Sequence, residues 1–67
     1  MEPPEIFELI VKADEKLKYA NDANADLRKD QARALLEQAR DEAKAAGIDA
    51  IVQQAETRLA DLDTAAG

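Results

Sequence analysis

Four oxygen-bearing side chains, Asp22, Asn24, Asp26 and Asp30, stand between two stretches of helical pattern. Their spacing matches the first, third, fifth and ninth ligand positions of a twelve-residue calcium loop. Hard cations take carboxylate and amide oxygens, so the residue types suit that chemistry. The rest of the loop does not. Its sixth position is Leu27, where a Gly is needed for the sharp turn, and its twelfth is Arg33, where a bidentate Glu would close the ion's shell. Lys29 adds a further cation. The simpler reading is a capped polar turn between helices, and no metal ligand is assigned.

Acid-base and nucleophilic chemistry fare worse. The chain has 15 acidic residues but no His and no Cys, and it contains no Ser. The usual bases and nucleophiles are therefore missing. Tyr19 is the single phenol. It lies off the apolar stripe near a helix end, where an amphipathic ring covers apolar surface. The 67 residues leave little room for the roughly 300 Å³ or more that small ligands occupy. The expectation is no enzyme, no catalytic residue and no cofactor.

A net charge of −6 opposes binding to nucleic acid, which needs a basic footprint. It also opposes binding to an anionic membrane surface. Four of the nine basic residues, Lys29, Arg33, Arg40 and Lys44, fall on one stripe beside an apolar helix face. One reading of that stripe is a docking surface for an acidic peptide or a carboxylate terminus. The other is a solvated face held by intrahelical pairs such as Arg33–Glu37 and Asp41–Lys44, each contributing a few tenths of a kcal/mol. Phe7 and Val11 lie beside Ile6 and Ile10 and widen another apolar face. They suit a partner groove or dimer seam. They equally suit a first helix that touches both of its neighbours.

Three helices must position these residues. The longest pattern is ADLRKDQARALLEQARDEAKAAG. Ala25, Ala32, Leu35, Leu36, Ala39, Ala43 and Ala46 share one face of it, at about 100° per residue. Leu27 projects off that face. Asn24 is the expected N-cap, and Gly47 closes the C-terminus with Ile48 folding back on the last turn. The first helix starts at Pro3 and Pro4, tolerated in a first turn. Its stripe is Ile6, Leu9, Ile10, Ala13, Leu17 and Ala20. The segment Asn21–Asn24 makes the turn. The third helix follows Asp49 as N-cap, with Ile51, Val52, Ala55, Leu59 and Leu62 on its apolar stripe. The predicted helices span about 4–20, 25–46 and 50–62, with 64–67 frayed. Together they form one all-α domain over residues 1–67, an antiparallel three-helix bundle.

The pattern Ala32-x-x-x-Leu36-x-x-Ala39, then Gly47, then a helix with Ala55 and Leu59, resembles the tetratricopeptide repeat. That family alternates small and large residues so that paired helices stack closely. The resemblance covers residues 6–62 loosely and 32–62 better, about one and a half repeats. The chain departs from it in a longer central helix, in Phe7 where a Trp is usual, and in lacking a closing Pro. Small three-helix domains with a helix-binding groove are a second resemblance. Both imply peptide or protein binding without naming a partner.

The leading expectation is a non-enzymatic protein-interaction or assembly module that engages a helical or extended peptide, from another protein or from a second copy of itself. Its partner-binding residues would be Phe7, Val11, Lys29, Arg33, Arg40 and Lys44. The alternative is a stand-alone structural domain, homodimeric or designed, without a ligand. The segment MEPPEIFELI lacks the basic start of a signal peptide, and no apolar run reaches the ~18 residues of a membrane helix. A soluble, cytoplasmic chain is expected. Millimolar calcium at constant ionic strength should leave the amide spectrum of residues 21–33 unchanged. Saturable shifts confined to that turn would establish a metal site there.

Overall fold

The computed structural model describes the backbone of residues 1–65 and the side chains of residues 1–63. The fold is an all-α three-helix bundle, with α1 over Pro3–Lys18, α2 over Ala25–Ala46 and α3 over Asp49–Ala65.

Helix α1 opens on Pro3 and Pro4, where two missing N–H groups cost nothing because a first turn leaves them unpaired. The Glu5 carboxylate accepts the Glu2 N–H at 3.1 Å, and its charge suits a helix N-terminus. Helix α1 ends at Lys18, two residues before the expected limit. There the Tyr19 N–H donates to the Glu15 carbonyl and the Ala20 N–H to the Leu17 carbonyl. Ala20, expected on the apolar stripe, is therefore in the turn and only partly buried.

Two asparagines build that turn. The Asn21 Oδ1 accepts the N–H groups of Ala23 and Asn24 at 3.0 and 3.1 Å, and the Asn24 Oδ1 accepts the Asn21 N–H at 2.7 Å. Asn24 holds the N-cap position of α2, but its side chain makes no bond into that helix. The capping geometry lies one turn earlier, at Asn21, because a short helical turn precedes α2 and its donors come first.

At the other end of α2, Gly47 takes φ +74°. The Ile48 N–H reaches back to the Ala43 carbonyl at 2.9 Å and the Gly47 N–H to Lys44 at 3.2 Å, the six-to-one closure expected of a left-handed cap. The Ile48 carbonyl then accepts the N–H groups of Ile51 and Val52. Ile48 therefore ends one helix and starts the next. Asp49, expected as the N-cap, sits instead in the first turn of α3, where the dipole favours it. Thr64 and Ala65, expected to fray, continue α3. Ala66 and Gly67, also expected to fray, lie outside the described residues.

Helix α2 is the centre. Both α1 and α3 pack along it, while α1 and α3 meet each other only slightly. The core joins Ile6, Leu9, Ile10 and Ala13 of α1, Ala32, Leu36, Ala39 and Ala43 of α2, and Ile51, Ala55 and Leu62 of α3. Leu17, Leu35, Ile48, Val52 and Leu59 border it, partly buried. No polar residue is buried among those described. Leu27 projects outward, as its position requires. Ala46, expected on the apolar face, is exposed. The Met1 ammonium lies 3.8 Å from Glu42, one turn before Ala46.

Leu36 is fully buried, whereas Leu59 is only partly so. Leu36→Ala should therefore cost about 2–5 kcal/mol, the range for buried Leu truncation. Leu59→Ala should cost clearly less, correcting the equal weight that the helical pattern assigns to both. Urea unfolding midpoints of the two variants check this. Equal losses would show that Leu59 is interior in solution.

Candidate interaction site

Among the described residues no group of three or more His, Cys, Asp or Glu side chains is placed to hold a metal ion. Both amide oxygens of the Asn21–Asn24 turn are taken up by backbone N–H groups. What the surface offers is exposed apolar area and sorted charge.

Phe7 is 45% exposed although Ile6 and Ile10 beside it are at 0% and 1%. Val11 is partly buried. The cause is the placement of α3. Phe7 and Asp14 lie about 100° and 80° around α1 from Ile6, so they share a flank. Asp14 meets α3, accepting from Arg58 Nε at 3.0 and 3.2 Å. Phe7, two turns earlier on the same flank, remains exposed because α1 and α3 make little other contact.

The basic stripe of α2 does not act as a unit. Arg33 Nη1 donates to Asp63 of α3 at 2.7 Å, instead of pairing with Glu37 along its own helix. That hydrogen bond, and then the charge of Asp63, raise the Arg33 pKa above its ordinary value. Arg40 Nε donates to Asp41 at 3.1 Å. Lys44 is exposed. Lys29 lines a cleft of about 580 Å³ together with Asp14, Leu17, Thr57 and Leu62.

A second cleft, of about 430 Å³, opens between the end of α1 and the start of α2. Lys12, Glu15, Lys16, Tyr19, Arg28 and Leu35 line it. Lys18 adds a fourth cation nearby, its Nζ 5.6 Å from the Tyr19 ring centroid. Helical spacing carries a partial signal for this cleft. Lys12 and Lys16 are one turn apart, and Arg28 and Leu35 two turns apart. The pairing of those two flanks depends on how α1 rotates against α2, which spacing does not contain. In the same stretch of α2, the Gln31 Oε1 is buried without a hydrogen-bond partner, a group that costs ~1–3 kcal/mol when left unsatisfied.

No protein-family model, curated protein or solved structure matches this chain. The surfaces must be read from their own chemistry.

The Asp14–Arg58 pair is the one described ion pair between α1 and α3, and both side chains are partly exposed. Exposed pairs contribute up to about 1 kcal/mol. A double-mutant cycle with Asp14→Asn and Arg58→Gln should therefore give a coupling below that value, shrinking as salt rises. A coupling above about 2 kcal/mol, unchanged by salt, would mean the pair is desolvated and clamps α1 to α3.

Proposed function

We propose that this chain is a non-enzymatic interaction or assembly module that engages a helical or extended peptide. One observation carries the reading: the single Phe stands 45% exposed beside fully buried isoleucines. The placement of α3 leaves this flank of α1 open, and core packing gives no reason for a large aromatic to occupy it. Aromatic side chains offer much apolar area at small entropic cost, which makes them common anchors at interfaces. A partner helix would read the flank of α1 through positions spaced three and four apart.

The antiparallel order of the helices belongs to the same reading. It is supported by Met1 lying at Glu42 and by Arg33, in the first half of α2, reaching Asp63 near the end of α3. The tetratricopeptide-like unit is supported by the small residues Ala32, Ala39, Ala43 and Ala55, all at 0% exposure. Small side chains at these positions let paired helices approach closely. In that unit α1 and α3 would flank the binding face. The partner is a protein or peptide, with a second copy of the chain as one form of it, and nucleic acid and membrane are not partners. A cytoplasmic setting is part of the proposal. It agrees with the finding that no described helix is long and apolar enough to cross a membrane.

Phe7→Ala provides the test. Because Phe7 is exposed, the variant should keep its helicity and lose less than about 1 kcal/mol, well below the ~3–5 kcal/mol of a buried Phe. It should also abolish any self-association seen by sedimentation, or lose the binders that the parent chain selects from a displayed peptide library. A loss of stability in the buried range would place Phe7 in the interior and remove the support for this reading. Unaltered association and binder selection would favour a structural domain without a ligand.

A further inference from the structure

We infer that the cleft between the end of α1 and the start of α2 is a docking site for an acidic peptide that carries an apolar residue among its carboxylates. The inference rests on the reading of the chain as a binding module, but it concerns a different surface from Phe7.

Charge sorting carries the argument. The chain has 15 acidic and 9 basic residues, so each cation has carboxylates to spare. Arg33, Arg40 and Arg58 each pair with one. Among the described residues Arg28 is the one arginine that does not, and the five lysines are likewise without an ion pair; what sets Lys12, Lys16 and Arg28 apart is that they converge. These three line one cleft, with Glu15 as the single carboxylate in its wall. The lining therefore carries three positive charges against one negative on a molecule of net −6. Lys16 lies in the last turn of α1, where the helix dipole accounts for a cation. Neither Lys12, a turn earlier, nor Arg28, in the first turns of α2, has that explanation.

The rest of the lining selects the kind of anion. Leu35 is partly buried and Tyr19 is 65% exposed, and both face the cleft. They offer apolar surface that a bare inorganic anion cannot use. Arg28 presents a planar fork matched to a carboxylate, while Lys12 and Lys16 act as point charges about one turn apart. Carboxylates flanking an aliphatic side chain satisfy both parts at once. A nucleic acid would meet the repulsion of the surrounding acidic surface.

The test uses the whole chain and three probes: the capped peptide Glu-Glu-Leu-Glu-Glu, its Gln-Gln-Leu-Gln-Gln counterpart, and inorganic phosphate. The expected result is saturable amide shifts at Lys12, Lys16, Tyr19, Arg28 and Leu35 with the acidic peptide alone. Affinity should fall severalfold between about 20 mM and about 150 mM salt. The triple variant Lys12→Gln, Lys16→Gln, Arg28→Gln should weaken binding at least about tenfold with an unchanged circular dichroism spectrum. Phe7→Ala should leave this binding intact, which separates failure here from failure at Phe7. If the triple variant misfolds, Arg28→Lys replaces it and should still weaken the peptide, because the fork is lost. Four outcomes overturn the inference: no saturable shifts, equal binding of the Gln peptide, phosphate competing as strongly as the peptide, or shifts at the same amides produced by protein concentration alone.

Discussion

One helix has to serve two neighbours, and α2 manages it with small side chains. Ala32, Ala39 and Ala43 are all at 0% exposure, with Leu36 the one large residue sealed among them. Packed helix axes come within about 8–10 Å when the side chains between them allow it, and alanine leaves the space to its partners. Bulk therefore comes from the outside in. Ile6, Leu9 and Ile10 arrive from α1, and Ile51 and Leu62 from α3. Larger residues along α2 would push both neighbours away together, because close-packed interiors have little slack.

The same arrangement decides where charge goes. With α1 and α3 both committed to α2, no described polar residue is buried, and the ion pairs lie around the rim. Arg33–Asp63 ties α2 to α3 and Arg58–Asp14 ties α3 to α1. These pairs join residues 30 and 44 positions apart in the chain. At the edge between α1 and α2, away from α3, cations gather that have no ion-pair partner among the described residues, and the cleft there is lined mainly by positive and apolar groups.

The connections make the layout compact. Asn21 and Asn24 exchange side-chain bonds with each other's backbone, so the turn into α2 carries its own scaffold. At the second turn Gly47 supplies the positive φ, and Ile48 closes α2 with its N–H while opening α3 with its carbonyl. A turn this short leaves α3 little freedom in where it begins. Its inward face, Ile51 and Ala55, is buried from the first turn onward.

Local and periodic features could be read from the residues in order. The three helices, the Gly47 stop and the stripes through Ile6, Ile10, Leu36, Ala39 and Ala55 depend on spacing of three and four and on one residue's freedom at positive φ. Those properties belong to a single segment. Rotation and partnership could not be read in this way. Phe7 lies beside one apolar stripe and Leu59 on another, and only the placement of neighbouring helices exposes the first and leaves the second partly covered. Arg33 has Glu37 one turn away but bonds Asp63, because α3 brings that carboxylate closer in the right direction. Lys12, Lys16 and Arg28 are ordinary surface cations in the linear pattern. They converge because packing turns one flank of α1 toward one flank of α2, and that angle is set by how side chains from different helices interlock.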